Sequence, residues 1–119
     1  MFKKSKIKLI YEKLYSAQQT GNKVYLIGNG GSSSTATHFS SDLLKTAITK
    51  NRHRFKAFSL SDNIPVLLAW ANDTSYEDIF YNQFLSKTAL VKHDDVIKKE
   101  KLSDYEMAAK SYKKAIRIN

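Results

Sequence analysis

Glycine and hydroxyl residues are concentrated in one short segment, and together they suit the binding of an anion. The apolar residues 24–27 lead into Gly28-Asn-Gly-Gly31, and residues 32–35 are all serine or threonine. Glycine lets a backbone approach a ligand closely, a helix start offers N–H groups to negative charge, and hydroxyl groups donate to phosphate oxygens. The dinucleotide-binding and P-loop patterns do not match, because Ser33 replaces a glycine and no lysine follows Gly31. The segment therefore predicts a phosphate-binding turn, with a turn that uses glycine only for tightness as the alternative.

His38 and Asp42 are the second group of residues with the types and spacing for chemistry, since they lie four apart on a predicted helix. That spacing places both side chains on one face of the helix. An imidazole and a carboxylate so placed can bind one metal ion, or act as a base and the group that orients it. Two ligands alone do not make a metal site, and a solvent-exposed His–Asp pair has the same spacing.

Alternating strands and helices would position these residues. Apolar periodicity predicts helices at about 4–19, 33–49 and 64–71 and from 76 onward, and strands at 23–27, 55–60 and 95–97. A strand, a helix and a strand in this order imply a parallel pair, so the predicted fold class is α/β, a small parallel sheet of about three strands flanked by helices. Ligands bind at the carboxyl ends of such strands. Asp62 follows the second strand, where it either contacts the ligand or caps the next helix.

Composition restricts the classes of protein to which the chain can belong. Its 119 residues carry a formal net charge of +9 and include no cysteine, which excludes disulfides and thiolate metal ligands. No apolar run approaches the roughly 18 residues of a membrane span, so no membrane partner is expected and a cytoplasmic location is the default. The positive charge lies near the two ends of the chain without a nucleic-acid-binding motif, so nucleic acid is not an expected partner.

Several separated motifs together resemble the sugar isomerase (SIS) domain, in its phosphoheptose isomerase branch. The resemblance covers about residues 7–97 and rests on these segments in the same order: Gly28-Asn-Gly-Gly-Ser32 with His38-Phe39, Phe58-Ser-Leu-Ser-Asp62, Ala69-Trp-Ala-Asn-Asp73, and Tyr76-Glu-Asp-Ile-Phe80 with Gln83. It implies part of a three-layer α/β/α sandwich. It also implies aldose–ketose isomerisation of sedoheptulose 7-phosphate, a reaction of heptose and surface-glycan synthesis.

The resemblance also implies roles for individual residues. The residues that match substrate-binding positions are Asn29, Gly30, Gly31, Ser32 and Asp73. Asp62 matches the family's aspartate turn and is a further candidate because it follows the second strand. His38 matches a zinc ligand, and Asp42 stands where the family has a glutamate that is both a zinc ligand and the catalytic base. Because aspartate is one methylene shorter, that base would reach less far than the family's glutamate. Zinc and a phosphorylated sugar are therefore the implied cofactor and partner.

The resemblance ends near residue 97, where the chain turns to Lys98-Lys-Glu-Lys101. A central parallel strand is buried on both faces and does not hold such a run of charges. The expected division is a truncated SIS-like domain at 1–97 and an unrelated basic helical tail at 98–119. The tail resembles half a tetratricopeptide repeat, through Tyr105, Ala108, Tyr112, Ala115 and Asn119.

Residues 98–119 contain no match to the family's remaining zinc ligands or its phosphate-gripping loop. Whether the chain is an enzyme is therefore left open by the sequence, and the expectation is an isomerase-like protein that is weakly active or inactive alone. The alternative is a non-catalytic sugar-phosphate-binding or protein-assembly module. Self-association into a homo-oligomer is expected, because a small parallel sheet has open edges and residues 64–71 are apolar nearly all round.

Overall fold

The computed structural model describes residues 4–88, which form four α-helices and a small parallel sheet. The elements in chain order are α1 (Lys4–Thr20), β1 (Lys23–Leu26), α2 (Gly31–Ser41), β2 (Lys56–Ser59), α3 (Ile64–Asp73) and α4 (Ile79–Thr88). One turn of π-helix, Asp42–Thr46, extends α2, and a 3-10 turn, Tyr76–Asp78, precedes α4. The α/β fold class predicted from the sequence is confirmed.

The described residues fall into two compact units that divide between Asp62 and Asn63. The predicted boundary at residue 97 lies outside the described residues and stays a prediction. The same is true of the predicted third strand at 95–97 and the helical tail at 98–119. No helix within residues 4–88 combines the length and apolar character needed to cross a bilayer.

In the first unit, β1 and β2 pair in parallel, with Lys23 opposite Lys56 and Leu26 opposite Ser59. This arrangement is the predicted strand–helix–strand unit. The amide of Leu60 donates to the carbonyl of Leu26 at 2.9 Å, which continues the pairing one residue beyond β2. The buried apolar side chains of this unit come from α2, the turn after it and the second strand with its end: Ala36, Leu43, Ala57 and Leu60.

The second unit begins at the cap of α3. The side chain of Asn63 accepts a hydrogen bond from the amide of Val66 at 3.3 Å, and Pro65 lies in the first turn. Asparagine before a helix and proline at its start are a common N-terminal combination. The capping role considered for Asp62 is therefore wrong, because Asn63 takes it.

The helix α3 is more exposed than its composition predicts. A helix that is apolar all round is usually buried, yet no residue of α3 is buried, and Leu68 is 64% exposed. In α4, by contrast, Ile79 and Phe80 are buried. The sequence pattern therefore identified α3 as a helix but not its environment.

Candidate functional site

The turn between β1 and α2 depends on glycine for two separate reasons. A Cβ atom on Gly28 would lie 2.3 Å from the carbonyl oxygen of Ser32, a distance that no side chain can accept. Gly30 has φ = +53°, a backbone conformation that side chains disfavour. Gly28 thus lets the start of α2 pack directly on the end of β1, and Gly30 lets the chain turn into the helix.

Part of the backbone predicted to receive an anion is occupied by protein. The amide of Ser32 donates to the carbonyl of Asn29 at 3.0 Å, and the amides of Ser33 and Ser34 donate to the carbonyl of Gly30 at 3.0 and 3.4 Å. The amides of Ser32, Ser33 and Ser34 are therefore not open to a ligand. These bonds close the first turn of α2, as often happens at helix ends.

The donors that remain for a ligand are two amides and three hydroxyl groups. Within residues 4–88, the amides of Gly30 and Gly31 and the side chains of Ser32, Ser33 and Ser34 have no hydrogen-bond partner. The Thr35 hydroxyl differs, because it donates back to the carbonyl of Gly31 at 3.2 Å. The turn can therefore still bind an oxyanion, mainly through hydroxyl groups.

A set of hydrogen bonds ties this turn to the end of β2. The hydroxyl of buried Ser61 donates to the carbonyl of Gly28 at 3.1 Å, and the amide of Ser61 donates to the Ser59 hydroxyl at 3.2 Å. Thr37, on α2, lies 3.2 Å from that same Ser59 hydroxyl and donates to Asp62 at 2.5 Å. The segment after β2 is thus attached both to the glycine turn and to α2.

Thr37, Ser59 and Ser61 belong to this region, although the sequence did not predict them as site residues. Ser59 and Ser61 flank fully buried Leu60 and are themselves buried. Buried hydroxyl groups are nearly always hydrogen-bonded. The two serines on either side of an apolar residue at the end of the second strand were therefore the available signal, whereas nothing in the sequence pairs them with Thr37.

His38 and Asp42 lie together on α2, as their spacing predicts. His38 Nε2 is 3.6 Å from Asp42 Oδ2, with 81% and 47% of the two side chains exposed. The other carboxylate oxygen of Asp42 accepts from the Thr46 hydroxyl at 3.2 Å. Asp42 is also the first residue of the π-helical turn, a local widening that is frequent at functional sites.

The described residues do not provide a complete zinc site. Two ligand atoms on one tetrahedral zinc are separated by about 3.3 Å, so the 3.6 Å between His38 and Asp42 suits a shared metal ion. Zinc sites in proteins use three or four protein ligands. Residues 4–88 contain no cluster of three histidine, cysteine or acidic side chains, so we derive no chemical step through zinc.

The structure brings some of the predicted site residues together and leaves one apart. Asn29, Gly30, Gly31 and Ser32 form the turn, and Asp62 is held beside α2 by Thr37. Asp73 lies in the second unit, where its carboxylate accepts from the side-chain amide of Asn72 at 3.0 Å. A substrate-binding role for Asp73 stays a prediction.

Comparison with known proteins points to the family that the motifs resemble. The chain is 39% identical over 88 residues to a probable phosphoheptose isomerase from Thermoplasma acidophilum, an alignment that covers 74% of the chain and 46% of that protein. It is 42% identical over 66 residues to the phosphoheptose isomerase of Shewanella oneidensis, covering 56% of the chain and 33% of that protein.

A third relative has a different name. The lincomycin biosynthesis protein LmbN of Streptomyces lincolnensis is 36% identical over 70 residues, covering 59% of the chain and 26% of that protein. No family model matches the chain. The chain spans less than half the length of these curated relatives. Its N-terminal part is similar in sequence to phosphoheptose isomerases, as the motifs predicted.

Proposed function

We propose that this chain is a phosphoheptose isomerase-like protein whose glycine and serine turn binds a phosphorylated sugar. The observation that carries the proposal is the turn itself, where the amides of Gly30 and Gly31 and the hydroxyls of Ser32–Ser34 have no partner within residues 4–88. Five such donors lie at the start of a helix, where the dipole also favours negative charge. The similarity to phosphoheptose isomerases supports the choice of a sugar phosphate.

Different residues are proposed to bind the phosphate, to bind the sugar and to transfer the proton. Hydroxyl groups on the first turn of α2 are the proposed phosphate donors, and Asp62 is the proposed acceptor for a sugar hydroxyl. Aldose–ketose isomerisation removes a proton beside the carbonyl and returns it to the neighbouring carbon. Asp42 is the proposed base for that transfer, and His38 is the group that orients it.

The proposal also includes a zinc ion and an oligomeric assembly. His38 and Asp42 would serve as two zinc ligands only in an assembly in which residues outside 4–88 complete the set. A homo-oligomer is one such assembly, and the exposed apolar surface of α3 supports it. A cytoplasmic location also belongs to the proposal.

Removal of two serine hydroxyls should weaken phosphate binding strongly. Because a hydrogen bond to a charged group contributes about 1.5–3 kcal/mol, replacing Ser32 and Ser34 together by alanine should lower the affinity for sedoheptulose 7-phosphate about a hundredfold. Titration calorimetry measures the affinity. Ser41→Ala is the matched control, since Ser41 is exposed at the far end of the same helix. Equal affinity for the double variant and the control would contradict this assignment.

Turnover of sedoheptulose 7-phosphate separates binding from catalysis. We expect the chain alone to convert the sugar phosphate no faster than its His38→Ala variant, because residues 4–88 hold only part of the catalytic and metal-binding groups. A coupled assay of product formation measures this. Turnover clearly above the His38→Ala level would contradict the expected lack of activity, and failure to bind the sugar phosphate at all would contradict the proposed function.

A further inference from the structure

Three groups at the end of β2 and one on α2 form a continuous series of hydrogen bonds that no role assigned above explains. The amide of Ser61 donates to the Ser59 hydroxyl at 3.2 Å. The Ser59 hydroxyl is 3.2 Å from the Thr37 hydroxyl, which donates to Asp62 Oδ1 at 2.5 Å. The series crosses from the sheet to α2 and ends on a carboxylate.

The direction of each bond follows from the chemistry of the groups. An ionised carboxylate only accepts hydrogen bonds, so Thr37 donates its single hydroxyl proton to Asp62. The Thr37 oxygen must then accept from Ser59, and the Ser59 oxygen accepts from the Ser61 amide. All three donors therefore point toward Asp62. Hydrogen bonds aligned in this way polarise one another, and the last one is strengthened by the negative charge.

The position of Thr37 on α2 relates this series to the serine hydroxyls. Thr37 follows Ser33 by four residues and Ser34 by three, so the three side chains share a helix face at a spacing of about 5–6 Å. The Asp62 carboxylate is thus bonded to a residue that lies one helical turn from hydroxyls proposed to bind phosphate. The Ser61 hydroxyl bond to the Gly28 carbonyl, 3.1 Å long, fixes the same segment to the glycine turn.

We infer that Thr37 is a positioning residue, which fixes Asp62 so that its second oxygen accepts a hydroxyl of the bound sugar phosphate. This inference rests on the proposed function. Asp62 Oδ2 has no hydrogen-bond partner within residues 4–88, so it is the atom left for a ligand. The site would thereby select phosphate esters that carry a hydroxyl group over inorganic phosphate, which needs only the serine donors.

Two substitutions at one position test the inference. Thr37→Val keeps the shape of the side chain and removes the hydroxyl, whereas Thr37→Ser keeps the hydroxyl. We expect Thr37→Val to lower the affinity for sedoheptulose 7-phosphate about tenfold and to leave the affinity for inorganic phosphate unchanged. Thr37→Ser should restore the affinity for the sugar phosphate. In an Asp62→Ala background, Thr37→Val should have no further effect, since it acts through that carboxylate.

The outcomes distinguish this inference from the proposed function. A wild-type chain that binds neither ligand overturns the proposed function and the inference with it. A wild-type chain that binds both, with a Thr37→Val variant of unchanged sugar-phosphate affinity, overturns the inference alone. Equal losses of affinity for sedoheptulose 7-phosphate and for inorganic phosphate in Thr37→Val would also overturn the inference. Such a result would show that Thr37 supports the whole turn and does not position Asp62.

Discussion

Replacement of Gly28 by alanine should destabilise the chain by about 3 kcal/mol, a typical cost of forcing extra atoms into a packed interior. The added Cβ would lie 2.3 Å from the carbonyl oxygen of Ser32 and 2.4 Å from its carbonyl carbon. Both are backbone atoms of α2, so no side-chain rotation can relieve the overlap, and the helix start must move. Urea unfolding followed by circular dichroism measures the change in free energy of unfolding.

Gly31 provides the matched control for Gly28. It lies three residues away, at the start of α2, and a Cβ atom there would meet nothing within 4 Å. Gly31→Ala should therefore leave the chain as stable or stabilise it by about 0.5–1 kcal/mol, through the lower entropy of the unfolded chain. Equal unfolding midpoints for the two variants would show that the close approach of β1 to α2 does not hold in solution.

Leu60→Ala is the second substitution with a large expected effect, about 3 kcal/mol of lost stability. Leu60 is 2% exposed and follows β2 directly, between Ser59 and Ser61 of the hydrogen-bonded series. Its truncation leaves a cavity under the segment that carries Asp62. The free energy of unfolding in urea measures the loss.

Leu68→Ala is the matched control, because it removes the same side chain from an exposed site. Leu68 is 64% exposed on α3, and substitutions at such sites usually change stability by less than about 0.5 kcal/mol. A Leu60→Ala variant no less stable than Leu68→Ala would contradict the placement of Leu60 in the core. A large loss for Leu68→Ala would instead show that α3 is covered in solution.

Local patterns predicted the backbone of the first unit well. An apolar run, a glycine cluster and a second apolar run place β1, α2 and β2 within a few residues of their observed bounds, because each pattern is complete within its own segment. The tight turn at Gly28 and Gly30 could also be predicted from its own segment of the sequence. The same is true of the one-face arrangement of His38 and Asp42, which follows from helical spacing alone.

Features that depend on how elements pack could not be predicted. Thr37 joins Ser59 and Asp62 across 22 and 25 residues of sequence, and these bonds require one register of α2 on the sheet. Pattern alone could not choose between the neighbouring polar residues Asp62 and Asn63 as the cap of α3. The exposure of α3 also depends on what packs against it, which its apolar composition does not specify.

The most direct measurement of the central claim is an NMR titration of the isotopically labelled chain with sedoheptulose 7-phosphate. The claim is that the turn from Gly28 to Ser34 receives the phosphate of a sugar. We predict saturable shifts concentrated at the amides of Gly30 and Gly31 and of Ser32–Ser34, with smaller shifts at Asp62. Amide signals of the turn that stay unchanged at saturating ligand, while those of other segments shift, would contradict the claim.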